Sequence, residues 1–91
     1  MTYTFHADPG HAWLEVTLMD VLAVGLQPKS FSPYSYRDTG RGGTKLYLEE
    51  DCDAGLFISA WQAKNPSKAF QTKEKHSDSD SFVRRLSSIR D

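Results

Sequence analysis

The chain opens on a period-two alternation, with Tyr3 and Phe5 apolar against Thr2, Thr4 and His6. This pattern predicts a half-buried strand over 2–6. Asp8-Pro9-Gly10 interrupts it with residues that favour a tight turn. His11–Val16, carrying Trp13-Leu14-Glu15-Val16, then reads as the second arm of a hairpin. Thr17-Leu18-Met19-Asp20 has the spacing of a capping box ahead of the apolar Val21–Val24, which predicts a short helix. Gly25 can take the left-handed conformation that ends such a helix, with Leu26 folding back. Gln27–Pro33, with two prolines and two serines, reads as an exposed loop.

Alternation returns in Tyr34-Ser35-Tyr36 and in Thr44–Leu48, where Leu46 and Leu48 share one face. The glycine-rich 38–43 segment between them is expected to form a long, mobile hairpin tip. A longer helix starts at Asp51 or Asp53 and runs to about Lys64, where Asn65-Pro66 stops it. Its inward face holds Ala54 with Ile58 and Phe57 with Trp61, pairs four residues apart. Ala69–His76 reads as an edge strand whose lysines discourage further pairing. Ser77–Ser81 is a polar connector and a source of an N-cap, and Phe82, Leu86 and Ile89 mark a short terminal helix. There is no internal repeat. Hairpins in a non-alternating order predict one α+β domain over 1–91, a small antiparallel sheet of four to five strands with two to three helices packed mainly on one face.

Composition supports folding rather than disorder, with 38% hydrophobic, 12% aromatic and 25% charged residues in a chain long enough for one modest core. The apolar stretches around Leu18–Leu26 and Leu56–Trp61 are too short and too interrupted to span a bilayer. The Met-Thr-Tyr-Thr-Phe-His start lacks the basic segment and apolar block of a secretion signal. Cys52 is the one cysteine, so no internal disulfide can form. These features lead us to expect a reducing cytoplasm, that of a host bacterial cell on the reading developed below. The net charge of −1 conceals an asymmetry: Met1–Ala54 has eight acids and four bases, Gly55–Asp91 seven bases and four acids. Such a division bears on partners and steering rather than on fold.

Four carboxylates, Glu49, Glu50, Asp51 and Asp53, crowd the expected strand-to-helix junction. One or two suit a helix N-terminus, but the excess repels itself and invites a positive partner. With Glu15 and Asp8 they form the candidate partner-binding set, a surface that would imitate phosphates. The competing explanation is a solvated helix start. His6, Asp8 and His11 could supply three metal ligands near one turn, but their spacing matches no strong metal motif and Asp8 is equally a turn residue. We therefore expect no metal and no cofactor. Cys52 sits among acids that oppose thiolate formation, so it is expected as a small buried hydrophobe rather than a nucleophile. No complete catalytic set is present, and a non-enzymatic role is expected. Arg37, Arg41 and Lys45, with Tyr34, Tyr36 and Tyr47 on the same hairpin, are ingredients of nucleic-acid contact, but the near-neutral charge and the adjacent acids argue against it.

Three segments together, Phe5-His6-x-Asp8-Pro9-Gly10-His11-x-Trp13-Leu14-x-Val16, Tyr34-Ser35-Tyr36, and Tyr47-Leu48-Glu49-Glu50-Asp51-Cys52-Asp53-x-x-Leu56-Phe57, carry a resemblance. The chain resembles a family of small uncharacterised proteins of bacterial genomes, phages and plasmids, and the likeness extends to Ser81-Phe82-Val83-Arg84-Arg85-Leu86. It departs from that pattern with Ala12 where glycine is usual and with a longer Arg37–Lys45 segment. It is also similar to certain type I anti-CRISPR proteins. That similarity implies a binding inhibitor whose acidic surface occupies the basic nucleic-acid channel of a Cas complex such as Cascade, and a monomer is expected. A nucleic-acid module using the Arg/Tyr hairpin, and a metal-binding protein using the His6/Asp8/His11 turn, are the alternatives. A regulator acting through the basic C-terminal half stays open beside them.

Overall fold

A computed structural model gives the architecture and describes residues 2–90. Strands β1 (Thr2–Ala7) and β2 (Ala12–Thr17) pair antiparallel, with Phe5 opposite Leu14 and His6 opposite Trp13. Their connection is closed by the Asp8 N–H donating to the His11 carbonyl at 2.8 Å, while Asp8 Oδ1 accepts from the Gly10 and His11 N–H groups at 3.0 Å each. The acid thus serves its own turn, as short polar side chains do.

Helix α1 (Leu18–Ala23) begins in the expected capping box: Thr17 Oγ1 accepts from the Asp20 N–H, and Asp20 Oδ2 accepts from the Thr17 N–H. It ends at Gly25, whose φ of 83° lets the Leu26 N–H return to the Val21 carbonyl and its own N–H reach that of Leu22. A single 3₁₀ turn at Pro28–Ser30 follows.

Strands β3 (Tyr36–Gly40) and β4 (Gly43–Glu49) pair antiparallel up to Gly40 opposite Gly43. The expected long tip is therefore replaced by a two-residue turn, Arg41-Gly42. Asp38 faces Lys45 and Thr39 faces Thr44, pairs of the kind that carry a ladder outward. Tyr34 and Ser35 precede the strand instead of belonging to it.

Helix α2 (Asp53–Lys64) directs Ala54 and Phe57 into the core, with Ile58 and Trp61 packed against it. Full burial of a side chain the size of Phe57 contributes about 2–3 kcal/mol. Strand β5 (Gln71–His76) then runs parallel to β1 at the sheet edge, exposed along its whole length. Phe70 delivers it there by stacking on Tyr3 at a centroid distance of 5.0 Å and meeting Trp61 edge-on at 5.1 Å.

The C-terminal segment departs from the expected helix. Phe82–Arg85 makes one 3₁₀ turn, capped by Ser81, after which Ser87–Ser88 forms β6 against Tyr36 and Arg37 of β3. The physical reason is that the apolar residues on either side of β6 serve different cores. Val83 packs with Trp13 and Tyr47, whereas Ile89 joins Leu14, Leu46 and Leu48.

The result is an α+β fold with a six-stranded mixed sheet in the order β5-β1-β2-β4-β3-β6, larger than the four to five strands expected and with β5 as its parallel member. Both helices contribute to one core cluster, on the face of Leu14, Val16, Leu46 and Leu48. Alternation places His6, Trp13, Glu15, Tyr36, Tyr47 and Glu49 on the opposite face. Among the described residues no helix is long and apolar enough to cross a membrane.

Candidate functional site

The second face of the sheet, left uncovered by the helices, holds most of the unusual chemistry. His6, Trp13 and Glu49 lie side by side on β1, β2 and β4, because His6 pairs with Trp13 and Trp13 with Glu49. The 3₁₀ turn closes over part of this face: the Phe82 ring meets His6 at 5.2 Å and Tyr47 at 5.6 Å. His6 Nε2 lies 2.8 Å from Glu15 Oε1, and Lys45 Nζ lies 3.7 Å from Glu15 Oε2. Burial, with smaller contributions from Glu15 and Asp38, pushes the Tyr47 phenol up to about 12.

Beside the 3₁₀ turn the face opens into a groove of about 400 Å³. Trp13 and Tyr36 form its aromatic wall, their rings edge-to-face at 6.0 Å, and Tyr34, 73% exposed, stands at the mouth. His11 lies along Trp13, with ring centroids 6.0 Å apart. Glu49, Asp51 and Cys52 line the side where β4 passes into α2. Arg84 completes the lining, its guanidinium 5.2 Å from the Trp13 ring centroid. The Trp13 Nε1 atom is buried with no acceptor among the described residues.

Arg84 is held in place by Asp8. Its Nε donates to Asp8 Oδ2 at 2.6 Å and its Nη2 to Asp8 Oδ1 at 2.9 Å, while the Ser81 N–H also donates to Oδ2. Arg84 foremost, and then the backbone donors, hold the Asp8 carboxyl far below the usual carboxylate range; the same pairing raises Arg84. Asp8, buried in the fold, is thus fully committed to internal partners.

The acidic run divides in two. Asp53 turns inward at 4% exposure and accepts from the Ser32 N–H, the Ser32 hydroxyl at 2.7 Å and the Ser35 hydroxyl at 2.5 Å. Ser35 Oγ in turn accepts from the Glu49 N–H at 2.9 Å. Glu49, 9% exposed, uses Oε1 to accept from the Asp51 N–H. Glu50 and Asp51 are exposed, and among the described residues neither side chain has a cation within ion-pairing distance. Their backbone is fixed, since the Glu50 N–H donates to the Ala12 carbonyl.

Cys52 is exposed and lines the groove, contrary to the buried position expected for it. The inward position at the helix start belongs to Asp53, whose serine donors satisfy a carboxylate there and leave Cys52 turned outward. His6, Asp8 and His11 do not converge: His6 engages Glu15, Asp8 engages Arg84, and His11 faces the groove. Among the described residues no group of three or more His, Cys, Asp or Glu side chains is placed to hold a metal. The Arg/Tyr hairpin is also dispersed, because Tyr36 and Arg37 alternate to opposite faces and Tyr47 is buried. Sequence reasoning missed Arg84 as a groove residue, because its tie to Asp8 spans 76 positions.

No family model matches the chain, and neither curated proteins nor solved structures yield a match.

Proposed function

We propose that the protein is a non-enzymatic binding module that offers the corner between β4 and α2 to a basic surface of another protein. The observation that carries this reading is the pair Glu50 and Asp51, exposed, without an ion-pair partner among the described residues, and tied through the backbone beside a concave aromatic groove. Unpaired carboxylates on a rigid frame attract cations with little side-chain ordering, and they give on-rate and specificity more than bulk affinity. Glu49 backs the corner from within the groove, and Glu15 lies further along the same face. Asp8 and Asp53 support the corner by fixing the segments around it.

A nucleic-acid-binding channel of a host-defence complex has the chemistry this corner would meet, and we take a Cascade-type effector, the partner that the sequence resemblance implies, as the case to test. The test is competition. Purified type I effector is mixed with labelled target DNA and the protein at low and at high salt, with an E50K/D51K variant alongside. The wild type is expected to displace DNA at low salt and to lose potency as salt rises, and the variant to fail with an unchanged melting temperature. Equal displacement by the variant would remove the corner from the mechanism, and no displacement by either would remove this class of partner. A direct shift of the labelled DNA by the protein alone, lost in R37A/R41A, would favour the nucleic-acid module instead.

A further inference from the structure

We infer that the groove behind the acidic corner receives an arginine side chain of the partner protein. The inference rests on the corner reading above and names what that corner recognises. Three features of the groove select a cation. Its wall is aromatic, with Tyr34 and Tyr36 offering ring surface beside a Trp13 ring that is 2% exposed and already carries Arg84, and ring faces attract positive charge. Its β4 side carries Glu49, whose Oε1 is occupied by the Asp51 N–H while Oε2 has no partner among the described residues. Glu49 is also more than nine-tenths buried, so a cation that reaches it leaves bulk water and meets a carboxylate little screened by solvent. Asp51 adds a second acid to the same lining.

Two positive features border the groove, and neither reverses this sign. Arg84 is neutralised by its two-point pairing with Asp8 at 2.6 and 2.9 Å. The N-terminus of α2 carries a partial positive charge of roughly half a unit, which is outweighed by Glu49 and Asp51. Arginine is favoured over lysine for reasons of shape and hydration. A guanidinium is flat, stacks on rings, forks to a carboxylate and gives up water more readily than an ammonium. The molecule already uses that compatibility, since the Arg84 guanidinium sits against Trp13. A volume of about 400 Å³ accommodates one such side chain with room for its approach along Tyr34.

The test uses the full chain labelled with ¹⁵N and titrated with N-acetyl-arginine-N-methylamide to about 20 mM, a range suited to the millimolar affinity of a single side chain. The matching citrulline and lysine compounds and free arginine are run at equal ionic strength. The arginine probe is expected to shift the Trp13 indole signal and the amides of Tyr36, Glu49 and Cys52 saturably, and to bind at least about fivefold more tightly than the citrulline and lysine probes. Y34A, which alters an exposed ring, and E49Q, which keeps an acceptor for the Asp51 N–H, are each expected to weaken binding by about fivefold. Absence of a saturable shift, equal response to citrulline, or unchanged binding in both variants overturns the inference. Tighter binding of free arginine also overturns it, since the groove would then read an amino acid rather than a protein side chain. If the arginine probe fails while displacement of DNA still depends on Glu50 and Asp51, the groove is discarded and the corner reading stands. If the probe binds and displacement ignores those two residues, the corner reading fails on its own.

Discussion

Arg84 and Asp8 form a two-point ion pair that fastens the C-terminal 3₁₀ turn to the β1–β2 connection, with contacts of 2.6 and 2.9 Å. Asp8 also accepts from Gly10, His11 and Ser81, so a single carboxylate orders two segments that border the groove. Bidentate geometry and the further backbone donors distinguish this pair from an ordinary surface bridge.

The pair sets an acid limit on stability. Arg84 and the backbone donors depress the folded-state value of Asp8, so below the unfolded value of about 3.9 the unfolded chain binds the extra proton. The stabilisation is fully present above that value and is lost as pH falls through the lower folded value. Thermal melts of D8N are expected to lie below wild type at pH 7, and the gap should narrow below about pH 4. A gap independent of pH down to pH 2 would show that Asp8 contributes through packing instead.

Asp53 is the acid of the 49–53 run with the largest expected effect on stability. D53A would strand the buried Ser35 hydroxyl together with the half-buried Ser32 N–H and hydroxyl, at a cost of about 2–3 kcal/mol. D51A, at an exposed position, is expected to change stability by less than about 0.5 kcal/mol. Urea denaturation of the two variants reads the contrast directly. Equal small effects would mean that the Ser32 and Ser35 contacts contribute nothing net.

This contrast also marks where sequence reasoning stops. Local signals were legible because their partners are near in sequence. The Asp8 turn, the Thr17/Asp20 capping box, the Gly25 terminator and the apolar face of α2 all follow from residues within a few positions of one another. Asp53 and Asp51 cannot be told apart in that way, because the serines that draw Asp53 inward lie 18 and 21 positions earlier. Phe82, Leu86 and Ile89 have helical spacing, yet Val83 and Ile89 belong to different cores with β6 between them. The parallel β5 likewise depends on where Phe70 finds Tyr3 and Trp61. The groove combines β2, β4, the segment before β3 and the C-terminal turn, so no window of sequence displays it.

Two glycines are expected to respond to alanine with opposite signs. Gly55 lies within α2 with open space where a Cβ would stand, so G55A should stabilise by about 0.5–1 kcal/mol through helix propensity and a less flexible unfolded chain. Gly25 also has open space, but its φ of 83° suits glycine, so G25A should destabilise by about 1 kcal/mol. Chemical denaturation of both variants checks the pair. A stabilising G25A would mean that the α1 terminus is not held in the left-handed conformation.

Tyr47 sets the corresponding alkaline limit. It lies under Phe82 and against His6 at 3% exposure, and burial is the main reason its phenol is pushed up to about 12, with Glu15 and Asp38 adding repulsion of the phenolate. The unfolded phenol ionises near 10, so between about pH 10 and 12 the unfolded chain releases a proton that the folded chain keeps. Stability contributed by the neutral phenol is complete below pH 10 and declines as pH rises through this window. Y47F has no proton to lose and should show a shallower alkaline decline in melting temperature. Because burial outranks Glu15 among the causes, E15Q should leave most of the elevation in place, which ultraviolet titration of the phenolate band can measure against Y47F. Return of Tyr47 to about 10 in E15Q would assign the effect to charge rather than burial and would imply that the Phe82 turn leaves this part of the second face open to water.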